Sequence, residues 1–253
     1  MRSLPTHVIF DLDGTLADSS PGILWSFHAT LENIGMSRSE ETLRALIGPP
    51  LFESFRILGI ASERLDEVVE IYRGFYAERG VHEATLYPGI VHILERLSDS
   101  GVRLSVATAK RVDFARQMLH SLGINSFFDE IAGASLDLQV TSKFDIMDLV
   151  LDVWNLGSLE DVWMVGDRHY DMTAARAHGV SAVGALWGFG SVEELREAGA
   201  QWLARTPADL LDGEFDAGSR VCLLEEVCDA CGRMIERSHD ATCSTAHAHG
   251  ESA

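Results

Sequence analysis

Four short apolar runs, "HVIF", "VRLSVAT", "EDVWMVG" and "VSAVGAL", recur along the chain, each rich in β-branched residues and bounded by turn signals. Near-continuous hydrophobicity is what a strand buried on both faces requires. Between the runs lie stretches with helical spacing. In "GIVHILERLSDSG", Ile90, Ile93, Leu94 and Leu97 share one face and Gly101 supplies a stop; in "DFARQMLHSLG", Phe114, Met118, Leu119 and Leu122 repeat the pattern before Gly123. Strand and amphipathic helix in alternation predict an α/β fold with a doubly wound, Rossmann-like parallel sheet.

One interval breaks the rhythm. From Ala17 to Thr85 the first strand is separated from the next by far more chain than one crossover helix needs. Leu24, Phe27, Leu31 and Ile34 form one amphipathic stripe and Leu65, Val68, Val69 and Tyr72 another, with no strand pattern between them. The expectation is an inserted all-helical cap over 17–85, with "IGPPLFESF" as an irregular elbow where Pro49 and Pro50 stop a helix from running through. The core would then comprise 1–16 and 86–213. The linker-like "DGEFDAGS", from Asp212, leads into a third region, 214–253, which holds all four cysteines.

The 253-residue chain carries a formal charge of −19, which opposes the counterion release that drives nucleic-acid affinity and equally disfavours an anionic membrane. Neither a signal peptide nor a membrane-length apolar run is apparent, so the expectation is a soluble, cytoplasmic protein. An acidic protein that handles an anionic small molecule needs a local island of positive charge.

Ligands of open parallel sheets bind beyond the carboxyl ends of the strands, where strand order reverses. The residues at those ends are Asp11 and Asp13 in "VIFDLDGTL", Thr108 closing "LSVAT", and Asp167 after "VWMVG", with Asp171 one helical turn on. Lys143 stands at the head of "KFDIMDLVLDVW". Singly, each is ordinary: strand-end aspartates commonly form turns, and a helix-head acid complements the dipole. Together, four acids, a hydroxyl and an ammonium converge on one sheet edge. Clustered carboxylates repel unless a cation neutralises them, and Mg²⁺ does so while leaving positions for water and phosphate. Lys143, Thr108 and the N–H groups around Asp13 and Gly14 would hold phosphoryl oxygens. The Asp11/Asp13 pair permits one carboxylate to attack phosphorus and the other to move the proton.

"FDLDGTLADS", the threonine of "VATAK", Lys143 and "VGDRHYDM" resemble the four motifs of the haloacid dehalogenase-like phosphohydrolases, over about 8–211. The helical insertion, "IGPPLFESF", "LYPGI" and "GALWGFGSVEELREAGA" resemble the small-cap phosphoglycolate phosphatase and nucleotidase branch. The resemblance implies Asp11 as nucleophile and Asp13 as general acid and base. It implies Mg²⁺ held by the Asp11 carboxylate, the Asp13 carbonyl and Asp167, with Asp171 a ligand through water or an orienting acid. Thr108 and the Ala109 N–H would grip the phosphoryl group, Gly14 would shape the turn, and Lys143 would neutralise charge. The substrate implied is a small-molecule phosphate ester, phosphoglycolate first and a nucleoside 5′-monophosphate as the alternative; a sugar phosphomutase would keep the same aspartate pair, but the cap similarity argues against it. Asp13 argues against the dehalogenases, which lack it, and the absence of any lysine in 17–85 argues against the phosphonatases. Arg44, Arg56, Arg73 and Arg79 are candidate second-anion contacts, Arg73 foremost because the resemblance implies a Tyr-Arg pair there; Arg168 would orient the metal acids or cap the site, and His169 would face solvent.

In the tail, Cys228 and Cys231 have metal-like spacing, and either His239 with Cys243 or Cys243 with His247 offers the second pair of a tetrahedral Zn²⁺ site. A flexible tail of reduced thiols is the alternative, as is a zinc-dependent regulatory role that leaves the core's chemistry incidental.

Overall fold

The computed structural model describes residues 4–212 apart from 138. The chain begins with β1 (His7–Phe10) and the two-residue β2 (Ala17–Asp18). It then runs through α1 (Ser20–Asn33), α2 (Glu40–Arg44), α3 (Leu51–Ile57) and α4 (Leu65–Glu78) to β3 (Thr85–Leu86). There follow α5 (Ile90–Asp99), β4 (Arg103–Arg111), α6 (Val112–Ser121), β5 (Glu130–Ala134), α7 (Lys143–Trp154) and β6 (Val162–Gly166). The described chain closes with α8 (His169–His178), β7 (Ser181–Ala185), α9 (Val192–Glu197), β8 (Trp202–Ala204) and α10 (Asp209–Asp212).

Six parallel strands form one sheet in the order β5-β4-β1-β6-β7-β8. After β1 the chain lays β4 and β5 on one side, then crosses to lay β6, β7 and β8 on the other. Strand order therefore reverses beside β1, which puts the carboxyl end of β1 at the crevice where such sheets bind ligands. Residues of β1 alternate between two cores: Val8 and Phe10 pack with the buried faces of α5 and α6, and Ile9 packs with those of α7, α8 and α9. Both faces of the sheet are covered, which accounts for the near-continuous apolar runs.

β2 and β3 pair antiparallel, Ala17 with Leu86 and Asp18 with Thr85, and between them every regular element is helical. Leu24, Phe27 and Leu31 of α1 and Val68, Val69 and Tyr72 of α4 are buried against each other's helix, with Ile34 half-buried. The expected irregular stretch over "IGPPLFESF" is shorter than the sequence suggests. Pro50 stands at the N-cap of α3, where its missing N–H costs no helical hydrogen bond, and the helix starts at Leu51. Among the described residues no helix is long and apolar enough to cross a membrane. The candidate zinc residues Cys228, Cys231, His239, Cys243 and His247 lie outside the described residues.

Candidate active site

Asp11 follows β1 directly, and its backbone N–H donates to Val165 O at 2.9 Å, so the β1–β6 ladder fixes its position. Its Oδ1 accepts from the Leu12 N–H at 2.7 Å and meets Lys143 Nζ at 2.8 Å. Ser142 caps α7 by accepting from the Asp145 N–H, which sets Lys143 at the first turn facing the sheet edge. There Lys143 Nζ also donates to Ala107 O at 2.9 Å and pairs with Asp171 Oδ1 at 2.8 Å. Asp167 accepts from Thr15 Oγ1 at 3.0 Å and from the Phe189 N–H at 2.8 Å. Asp171 Oδ2 accepts from the Arg168 N–H at 3.1 Å at the start of α8.

Oxygens of Asp11, Asp167 and Asp171 lie within 4.8 Å of one another, all three residues buried. Burial pushes the Asp11 carboxyl up to about 7, with Lys143 pulling it down and Asp171 and Asp13 pushing it further up. Asp167 is raised well above the usual carboxylate range by burial, then by Asp11 and Asp171. Lys143 feels the same desolvation, but it faces two carboxylates and is raised, so it stays an ammonium. One ammonium does not satisfy three buried acids. Asp171 Oδ1 is sealed from solvent and faces the Lys143 ammonium at 2.8 Å. Three buried carboxylates whose oxygens lie within 4.8 Å of one another, with one ammonium between them, are a hard oxygen set short of positive charge, and such a set fits Mg²⁺.

Asp13 lies outside that trio. Its Oδ1 accepts from Ser19 Oγ and its Oδ2 pairs with Lys110 Nζ at 3.0 Å. Lys110 also donates to the Tyr76 hydroxyl of α4 at 2.6 Å. A cavity of about 330 Å³ opens here, with Asp11, Asp13, Thr108, Ala109 and Lys110 at its floor and the Leu46–Phe52 segment, Tyr72, Arg73 and Tyr76 on its wall. Thr108 is buried near the end of β4, and its Oγ1 accepts from the Lys110 N–H at 3.2 Å.

Gly14 has φ +86° and a Cβ there would lie 2.2 Å from Asp167 Oδ2. The Leu186–Ser191 loop crosses the same spot: Trp187 Nε1 donates to Thr15 O at 2.9 Å, and a Cβ on Gly188 would lie 2.3 Å from Asp167 Cβ.

The structure thus brings Asp11, Lys143, Asp167 and Asp171 together, with Asp13, Thr108, Ala109 and Arg73 around the adjoining cavity. Arg44 and Arg79 instead pair with Glu40 and Glu83, and neither they nor Arg56 line the cavity. Arg168 Nε pairs with Glu194 at 2.8 Å while Nη1 reaches Ile47 O of the insertion. His169 only partly faces solvent, since its N–H and Nδ1 both lie 3.0 Å from Glu194 Oε1. Sequence reasoning passed over Lys110, Thr15 and the Phe189 N–H. Lys110 sits in the quoted "VATAK", two residues beyond Thr108, and the paired glycines of "WGFG" signalled a close backbone approach.

The family described as "Haloacid dehalogenase-like hydrolase" matches residues 8–185. The chain is 42% identical over 191 residues to "Tyrosine-protein kinase PtkA" of Mycobacterium tuberculosis, an alignment covering 75% of this chain and 65% of that protein's length. It is 36% identical over 192 residues to a "5'-nucleotidase" of Pseudomonas aeruginosa, covering 75% of this chain and 86% of that one. Among solved structures, a predicted phosphatase from Clostridium acetobutylicum superposes with a TM-score of 0.79 at 34% identity, covering 83% of this chain and 98% of the other. The family match spans most of the chain and carries every strand-end acid described above, so this chain belongs to the haloacid dehalogenase-like hydrolases.

Proposed function

We propose that the chain is a Mg²⁺-dependent phosphohydrolase that cleaves small-molecule phosphate monoesters through an aspartyl-phosphate on Asp11. The observation that carries this reading is the pairing of Asp11, next to the ammonium of Lys143, with Asp13 on the floor of the same cavity. In the first step an Asp11 oxygen bonds to phosphorus, the ester P–O bond breaks, and Asp13 gives its proton to the departing oxygen, releasing the alcohol. In the second, a water gives its proton to Asp13 as its oxygen bonds to phosphorus; the bond to Asp11 breaks and inorganic phosphate leaves.

Thr108, the Ala109 N–H and Lys143 would hold the phosphoryl oxygens, and Gly14 lets the turn lie against Asp167. Asp11, the Asp13 carbonyl, Asp167 and Asp171 would hold the Mg²⁺, whose charge would offset that of the buried acids and the phosphate. The helical insertion, over 17–85, would act as the cap that admits the ester and excludes water, with Arg73 on its cavity face. Phosphoglycolate is the substrate implied by the sequence resemblance. The Pseudomonas aeruginosa relative's name supports a nucleoside 5′-monophosphate.

A second reading rests on the 42% identity to a protein named as a tyrosine kinase: the phosphoryl group on Asp11 would pass to a phenol in place of water. Incubation with p-nitrophenyl phosphate, and separately with γ-labelled ATP, with Mg²⁺ or EDTA, distinguishes the two. Metal-dependent release of inorganic phosphate is the expected outcome. Label transferred to protein tyrosine with no free phosphate would sink hydrolysis and favour the transferase.

The raised carboxyls give a second expectation. Folded Asp11 keeps its proton up to about 7, whereas the unfolded chain releases it near about 3.9. Across that window the folded state binds the extra proton, so the contribution of this group to metal-free stability falls as pH rises; Asp167 acts in the same direction. Mg²⁺ has fewer protons to displace at the upper end. The rise in melting temperature on adding Mg²⁺ should therefore grow between pH 5 and pH 8, and a gain that shrinks over that range contradicts it.

A further inference from the structure

Resting on the phosphohydrolase reading, we propose that the leaving group of the substrate is an uncharged, ring-sized alcohol in place of a small anionic acid such as glycolate. Two observations lead there. The first is the charge of the cavity wall. Three cations line it, and each already has an acid from this chain. Arg111 holds Asp113 in a two-pronged pair, Nε to Oδ1 at 2.6 Å and Nη2 to Oδ2 at 2.7 Å, and its guanidinium lies 4.2 Å from the Phe114 ring centre. Lys110 Nζ is shared between Asp13 and the Tyr76 hydroxyl, at 3.0 and 2.6 Å. Arg73 Nη1 lies 2.5 Å from Glu70. These three cations and three acids sum to zero, and Lys143 is committed to Asp11 and Asp171. A second anionic group on the substrate would have to share one of these cations with the acid it already holds, and at Lys110 it would also stand beside Asp13.

The second observation is what the remaining wall is made of. Phe27, Leu46, Pro49, Phe52, Tyr72 and Phe114 line the cavity, from α1, the elbow, α4 and α6. Its volume of about 330 Å³ exceeds what a two-carbon acid fills. Flat apolar walls around a space of that size stabilise a ring by removing it from water. The pair most open to exchange is Arg73 with Glu70, because Glu70 is largely solvent-exposed and such pairs are weak. It is the one point at which an anionic leaving group would be accommodated, and the test includes it.

Benzyl phosphate, ethyl phosphate and phosphoglycolate share an alkoxide-type leaving group, so their kcat/KM values compare the cavity more than the chemistry. Benzyl phosphate should exceed the other two by about 30-fold or more, and Phe52→Ala should narrow its advantage over ethyl phosphate. Equal values for benzyl and ethyl phosphate overturn the proposal. So does a preference for phosphoglycolate, most directly if Arg73→Met abolishes it. If Mg²⁺-loaded protein turns over none of the three, the phosphohydrolase reading fails separately. Calorimetric affinities for the isosteric 2-phenylethylphosphonate, propylphosphonate and 3-phosphonopropionate then still decide the cavity's preference, with the same ranking supporting the proposal and the reverse ranking overturning it.

Discussion

Asp11→Asn should lower phosphatase turnover by about 10⁴-fold or more while leaving the protein folded. The amide has the carboxylate's shape, and its oxygen can still accept from the Leu12 N–H and from Lys143 Nζ. It lacks the electron-rich oxygen that bonds to phosphorus. Stability should move the other way. Burial outweighs the attraction of Lys143 in setting the state of Asp11, and Asp171 adds repulsion. A neutral isostere removes both penalties, so the metal-free variant should melt above the metal-free wild type at pH 8. Measured together, turnover and melting temperature separate a lost nucleophile from a damaged fold. An inactive variant that also melts lower would indicate that the fold has been damaged, and retained turnover would remove Asp11 from the nucleophile's role.

The second large effect is expected at Gly14. Its φ of +86° is reached by a non-glycine residue only with strain, and a Cβ would lie 2.2 Å from Asp167 Oδ2 and 2.6 Å from the Phe189 ring. Neither neighbour is free to yield, because Asp167 is held by Thr15 and the Phe189 N–H. Gly14→Ala should displace Asp167 and the loop together and reduce kcat by about 100-fold or more, a loss typical of misplacing a catalytic group by about 1 Å. Gly35→Ala is the matched control: φ is +73° and a Cβ would meet nothing within 4 Å. It should lose about 1 kcal/mol of stability to backbone strain and keep full turnover. Similar turnover in the two variants would show that the contact with Asp167 is unimportant.

The parts of this fold that could be read directly from the sequence were those whose signal is local. Ile90, Ile93, Leu94 and Leu97 are all buried, as their spacing predicts. The runs that became β1, β4, β6 and β7 are strands because burial on both faces forces near-continuous hydrophobicity. β5, "EIAGA", and β8, "WLA", carry little of that signal: one is mostly small residues, the other three residues long, and both are edge strands. Strand order is not local at all, so the approach of Asp167 to Asp11 across β1 and β6 followed only from the rule about strand ends. The contacts between insertion and core were harder still. Lys110 finds Tyr76 from 34 residues away, and Arg168 finds Ile47 from 121 residues away. No periodicity encodes such pairs, because each depends on where a whole helical unit settles.

The narrow ribbon of β2 and β3 bears on how proteins of this kind diversify. The chain departs at Ala17 and returns at Leu86, and these two residues are paired neighbours in the ribbon. Paired antiparallel strands bring partner Cα atoms to about 5 Å. Any segment whose own ends come that close can be exchanged at this doorway without moving β1, β4 or β6. Asp11, Lys143, Asp167 and Asp171 all lie on the sheet side of it, and Phe27, Phe52 and Arg73 all lie on the other. Substitutions on one side can therefore reshape the cavity wall while the sheet keeps the four charged residues on the other side in place.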